Sequence, residues 1–197
     1  VAVNAQRFAQ NLPALKYTLP SIAQHKLFSK RAEQAKYQWQ NKAFAQAQAI
    51  AKATEKQGFF GVNMASTGCG KTIANARIMY ALADNKEGCR FSVALGLRTL
   101  TLQTGDAYRD LLKLGDDELA VLIGSQAVKT LHQLNKEPER VGSGSESADD
   151  LFDQLFVSYE GQIYDGRLKH WLSNSPKLEQ LVSAPVLVST IDHLMPA

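Results

Sequence analysis

Residues Ala65 to Thr72 read A-S-T-G-C-G-K-T, between an apolar stretch, Phe59-Phe60-Gly61-Val62-Asn63-Met64, and a run from Ile73 to Ala83 of helical composition. A strand, a glycine-rich turn and a helix in that order restrict the chain to an α/β fold whose turn receives an anion. Gly68 and Gly70 lack Cβ atoms, so the backbone can close on a phosphate and point successive N–H groups at its oxygens. Lys71 adds a cation for the β- and γ-phosphates, and the Thr72 hydroxyl is placed to ligate the Mg²⁺ that bridges them. The expected ligand is a nucleoside triphosphate with Mg²⁺. Lys71 and Thr72 carry the expected catalytic roles, and Ser66, Thr67, Gly68, Cys69 and Gly70 complete the expected nucleotide contacts.

Ala65 stands where the general pattern has Gly, a replacement common in helicase-type turns of this kind. Cys69 is expected to pack as a small residue, because no nearby base activates its thiol. The two cysteines, Cys69 and Cys89, form no disulfide framework. No leader-like segment opens the chain, and no segment approaches the ~18 uninterrupted apolar residues of a membrane span. A soluble cytoplasmic setting is the expectation.

At 197 residues with 45% hydrophobic side chains, the chain has the material for one α/β core. Its net charge of +3 is unevenly placed: Val1 to Lys56 hold nine Lys/Arg against two acids. That basic end is a candidate for contact with nucleic acid or an acidic neighbour, or is a set of solvated helix faces.

Val1 to Arg31 carries Pro13 and Pro20 among short apolar groups without a sustained period, as a connector packed on something would. From Gln34 to Lys56 the composition is rich in Ala, Gln and Lys, with Trp39, Ala43, Ala47 and Ile50 spaced for one helical face and Gly58 as a stop. Phe91–Leu95, Ala120–Ile123 and Ala184–Ser189 read as further strands, and Leu100–Leu112 as a second helix after the glycine-rich turn. The alternation predicts a mostly parallel sheet with helices on both faces. Residues 135–150, polar and Gly/Ser-rich, are expected to form a surface insertion.

Upstream of the turn, Gln40 in Tyr37-Gln38-Trp39-Gln40 is a candidate adenine reader, since a primary amide offers the donor and acceptor that match the N6 and N7 edge. ATP is therefore the expected nucleotide. After the second strand, Gly96-Leu97-Arg98-Thr99-Leu100-Thr101-Leu102-Gln103-Thr104 joins Arg, Thr and Gln at the C-terminal edge of the sheet. Thr190-Ile191-Asp192-His193-Leu194 follows the fourth strand in the same way. Arg98, Thr99, Gln103, Thr190 and His193 are thus candidates for the backbone phosphates of single-stranded DNA, contacts that position and do not read sequence. Thr99 is also a candidate helix N-cap. Asp192 has a competing role as a Mg²⁺ carboxylate, weakened because Ser189, Thr190 and Ile191 separate it from the apolar run. Asp116, Asp117, Glu118, Asp149 and Asp150 follow no strand and read as turn or helix-start acids. The histidines His25, His132, His170 and His193 show no zinc-ligand spacing.

With these motifs laid out, the chain resembles the helicase-nuclease of type I-F CRISPR systems nearly from end to end, including N-L-P-A-L-K-Y-T-L-P-S-I-A-Q-H-K-L-F-S-K, L-G-L-R-T-L-T-L-Q-T and A-P-V-L-V-S-T-I-D-H-L-M-P-A. The resemblance implies a RecA-like nucleotide-binding lobe of superfamily 2 over residues 34–197, preceded by a connector over 1–33 from an upstream His-Asp nuclease domain. It also implies an ATP-driven translocase that unwinds target DNA for degradation, recruited by an RNA-guided surveillance complex and associated with nuclease and adaptation subunits. The family's Asp-Glu strand and second lobe would follow Ala197, so residues 1–197 alone are expected to bind ATP weakly and hydrolyse almost none. Two other classes fit the residues: a phosphate-loop enzyme acting on a small molecule, and a non-catalytic docking piece for a neighbouring subunit or an inhibitor such as a phage protein.

Overall fold

The structure, a computed structural model, describes residues 6, 9–10, 13–14, 17–83, 88–123, 156–165, 169 and 176–194. Its centre is a four-stranded sheet in the order β1-β4-β2-β3, formed by β1 (Phe91–Leu95), β2 (Leu119–Ile123), β3 (Phe156–Ser158) and β4 (Val186–Thr190). β4 lies between β1 and β2 and is parallel to both, with Val93 and Val121 each opposite Val188. β3 adds an antiparallel edge, Leu122 opposite Val157. Every residue of β2 and β4 is buried, as central strands covered on both faces require, whereas β1 alternates.

One face carries Phe91, Leu119, Val121, Ile123, Val186 and Val188. Against it pack Tyr108 and Leu112 of α4 (Arg98–Leu112) and Ala76 and Tyr80 of α3 (Lys71–Leu82). Gly105 lets α4 lie directly on β2, since a Cβ there would come within 2.7 Å of Val121 Cγ2. The opposite face, Ala120, Leu122 and Leu187, is covered by Tyr159 and Ala184 with Leu181 of α5 (Pro176–Ser183) and Leu194 of α6 (Ile191–Leu194). This is an α/β lobe with a mostly parallel sheet, as the alternation of strands and helices predicts, and of the RecA-like type that the resemblance implies.

Residues ahead of Trp39, Ile22 and Phe28 among them, pack into the same core. Ile22 and Cys89 exchange two backbone hydrogen bonds of 3.0 and 2.8 Å, and burial pushes the Cys89 thiol up to about 12. In α1 (Lys26–Ser29), Phe28 is 0% exposed, stacked on Tyr80 at 4.8 Å and edge-on to Phe91. Arg90 donates to the carbonyls of Pro20, Val182 and Ser183, joining this segment to the C-terminal turn of α5, where free carbonyls attract a cation.

Four expectations need correction or lie beyond view. Phe59–Met64 pairs with no strand among the described residues; Phe60 is 91% and Met64 88% exposed, and the segment faces β1 across a groove of about 870 Å³. A strand requires a hydrogen-bonded neighbour, and sequence pattern alone supplies none. Thr99 does not cap α4: Leu97 is the N-cap residue, Thr99 lies in the first turn, and the Thr101 hydroxyl donates to the Leu97 carbonyl. The long Ala-rich helix starts at Trp39, as α2 (Trp39–Gln57), after a 3₁₀ turn at Ala35–Tyr37, and ends at Gly58 with φ 75°. Residues 135–150, with Asp149 and Asp150, lie outside the described residues.

Candidate nucleotide-binding site

Gly68 and Gly70 both take positive φ, 76° and 75°, so the chain curls into a cradle immediately before α3. Gly70 is the N-cap, which leaves the N–H groups of Lys71, Thr72 and Ile73 in the first turn without intrahelical acceptors. The cradle is tight: a Cβ on Gly70 would meet Gln40 Nε2 at 2.6 Å and the Tyr37 ring at 3.3 Å. Lys71 Nζ folds across the turn and donates to the Ala65 and Ser66 carbonyls at 2.6 and 3.0 Å. Asn63 fixes the approach, its Oδ1 accepting from Ala65 N–H while its Nδ2 donates to Asn75 of α3. Tyr108 donates to the Thr72 carbonyl, and burial raises its phenol well above the usual range.

Behind the turn stands the start of α2. Trp39 Nε1 donates to the Cys69 carbonyl at 3.1 Å, and Gln40 Nε2 lies 3.4 Å from that oxygen and 3.3 Å from the Gly70 carbonyl. Gln40 is only 6% exposed, beneath the turn and not on an open helix face. Lys36 Nζ lies above its neighbour Tyr37 and reaches 3.7 Å from a Cβ position on Gly68. Of these, Gln40 and the turn are legible in the sequence as site residues; Trp39 reads there only as part of a helical face, and Lys36, Tyr37 and Asn63 carry no site signal of their own. Arg77, the one charged residue of α3 after Lys71, is the signal most easily missed. It is 3% exposed and donates from Nη1 to Gln40 Oε1 at 3.3 Å.

The groups that would suit a triphosphate are a turn closed to a side chain at Gly70, an ammonium folded across it and the first-turn amides of α3 at its end. Thr72, half-buried in the first turn of α3, is the group that would reach Mg²⁺. No cluster of three or more His, Cys, Asp or Glu suited to a metal occurs among the described residues.

The second set of candidates collects at one sheet edge. Leu95 and Thr190 are register partners, so the segments after β1 and β4 leave the sheet side by side. Arg98, Thr99 and Gln103 are exposed there, in the first two turns of α4. His193 is half-buried in α6; burial and the nearby Arg98 charge hold its imidazole below the usual value against a smaller opposing effect of Asp192. Thr190 differs from the rest, being 2% exposed with a hydroxyl that has no hydrogen-bond partner among the described residues. Asp192 is exposed in the first turn of α6. Asp116 pairs with Arg109 at 3.1 Å, a turn acid as its sequence position suggests. No described helix is long and apolar enough to cross a membrane.

No protein-family model matches the chain. Over 203 residues it is 58% identical to the CRISPR-associated nuclease/helicase Cas3 subtype I-F/YPEST of Pectobacterium atrosepticum. Over 199 residues it is 51% identical to the protein of the same description from Pseudomonas aeruginosa. Each match takes in the whole chain, which spans 18% of the relative's length.

Proposed function

Since the chain belongs to the Cas3 nuclease/helicase family of subtype I-F as a segment of it, we propose that it is the ATP-binding lobe of a DNA-translocating motor. The observation that carries this is the turn at Ser66–Thr72, with Lys71 folded into a glycine cradle at the start of α3 and Gln40 directly behind it. ATP binds there with its phosphates on the turn and the Lys71 ammonium, Mg²⁺ on the Thr72 hydroxyl and adenine against Gln40. Mg²⁺, held by the Thr72 hydroxyl, would supply neutralisation of the phosphate charge.

Single-stranded DNA is held by its backbone at the edge where β1 and β4 end. Arg98, Thr99, Gln103 and His193 are the exposed or half-exposed groups available for it. The inward-facing Thr190 serves the packing of β4 unless that edge opens. Unwinding of target DNA for degradation, alongside a nuclease and an RNA-guided complex, is the activity proposed for the whole protein.

The test is ATP hydrolysis by the full-length protein with and without single-stranded DNA. DNA is expected to stimulate turnover, and Lys71→Ala to lower it by about 10²- to 10³-fold, the range for removing one preorganised electrostatic group. Turnover that DNA leaves unchanged would contradict the motor role, and turnover that Lys71→Ala leaves unchanged would contradict the site.

A further inference from the structure

Arg77 is a buried cation for which the hydrophobic packing of α3 gives no reason. Its helix neighbours on the inner side are Ala74, Ala76, Tyr80 and Ala81, all buried. No carboxylate pairs with it among the described residues, and burial lowers its pKa. A lone buried charge of this kind is costly unless its donors are all used. Here each arm of the fork has a neutral acceptor: Nε donates to the Phe28 carbonyl at 3.0 Å, Nη1 to Gln40 Oε1 at 3.3 Å and Nη2 to Asn41 Oδ1 at 3.4 Å. The guanidinium also lies 5.2 Å from the centre of the Phe44 ring.

That arrangement removes an ambiguity that any carboxamide carries. Arginine only donates and a backbone carbonyl only accepts, so the Gln40 oxygen must face Arg77 and its amino group must face the Cys69 and Gly70 carbonyls. The two carbonyls are neighbours at similar distances and can share one N–H. One N–H and one lone pair of the amide then have no partner among the described residues, the donor and acceptor that an adenine edge needs.

Resting on the proposal that ATP binds this turn, we infer that Arg77 is a positioning residue for base recognition. It sets which way the Gln40 amide faces and ties that orientation to the backbone at Phe28, in the segment upstream of the lobe. Asn41 extends the tie, because it exchanges hydrogen bonds of 2.8 Å with both backbone groups of Ala32. Lysine cannot substitute, since one ammonium on a flexible stem cannot span three acceptors held by three separate groups.

The experiment compares ATP and GTP on the full-length protein and on its Gln40→Ala, Arg77→Met, Arg77→Lys, Lys71→Ala and Gln40→Ala/Arg77→Met variants. Binding affinity, KM and kcat are measured for each nucleotide. Gln40→Ala is expected to reduce the preference for ATP by about 5- to 150-fold, the range for a lost bidentate base contact. Arg77→Met shifts the preference in the same direction, mainly through KM for ATP, and adds nothing further to Gln40→Ala because it acts through that residue. Arg77→Lys shows the same loss and is the variant read where Arg77→Met does not fold. Unaltered preference in the Arg77 variants, full additivity with Gln40→Ala, or a wild-type protein indifferent between ATP and GTP overturns the inference. Lys71→Ala separates the two claims: it weakens ATP and GTP alike if phosphates sit on the turn, and if it weakens neither, the nucleotide site itself is refuted and the role of Arg77 with it.

Discussion

Phe28 and Phe60 flank α2, the helix behind the glycine turn, and have opposite surroundings. Phe28, in a segment whose sequence suggests only a connector, lies between Tyr80 and Phe91 with no exposed surface. Phe60, in a segment that reads as a strand in sequence, is 91% exposed beside β1, the strand at one end of the described sheet. The contrast teaches that apolar pattern announces a wish for burial, while the outcome depends on what the rest of the chain brings alongside. For Phe28 the chain brings the rings of His25, Tyr80 and Phe91, with Arg77 holding the Phe28 carbonyl and Arg90 holding that of Pro20 earlier in the same segment. For Phe60 it brings a groove.

The same substitution at both positions tests this comparison most strongly. Phe28→Ala is expected to cost about 3–5 kcal/mol of stability, as full burial predicts, whereas Phe60→Ala stays within about 0.5 kcal/mol. Urea unfolding followed by tryptophan fluorescence reads both, and equal costs would break the comparison. A smaller effect is expected at the junction of the two regions. Gly70→Ala places a Cβ against Gln40 Nε2 at a φ of 75°, so about 1–2 kcal/mol of backbone strain adds to the displacement of Gln40. Nucleotide affinity should fall in that variant more than stability does; a loss of stability with affinity intact would place Gly70 outside the cradle.

The smallest effect concerns His193. Its folded-state pKa lies below the ordinary 6.5, so its contribution to stability is present above that value and is lost as pH falls through the lower folded value. Comparing unfolding of the wild type and His193→Gln from pH 7 down to pH 5 should show the variant with the shallower decline. A steeper decline in the variant would mean that the charged imidazole is favoured, with Asp192 outweighing burial and Arg98.

Much of the fold is legible in the sequence because it rests on local signals. The continuous apolar runs of β2 and β4, the Gly58 stop of α2 and the glycine turn before α3 all depend on a few adjacent residues. β3 escapes because three residues, Phe-Val-Ser, carry too little pattern to stand out after a polar stretch. Phe59–Met64 misleads for the opposite reason: its pattern is strong, but pairing is a property of two segments. At the site, residue types and spacing point to Gln40 and Lys71, while the partner that orients Gln40 stands on another helix. Only the folded arrangement reveals Arg77, because nothing in its local sequence marks a guanidinium that meets Gln40, Asn41 and Phe28 together.

Amide hydrogen exchange across residues 65–72 of the full-length protein, with and without Mg²⁺ and a non-hydrolysable ATP analogue, tests the central claim most directly. The account predicts slower exchange at Gly68 through Thr72 on addition of nucleotide, with the protection lost in Lys71→Ala. Exchange in this turn that stays the same at saturating nucleotide would contradict it.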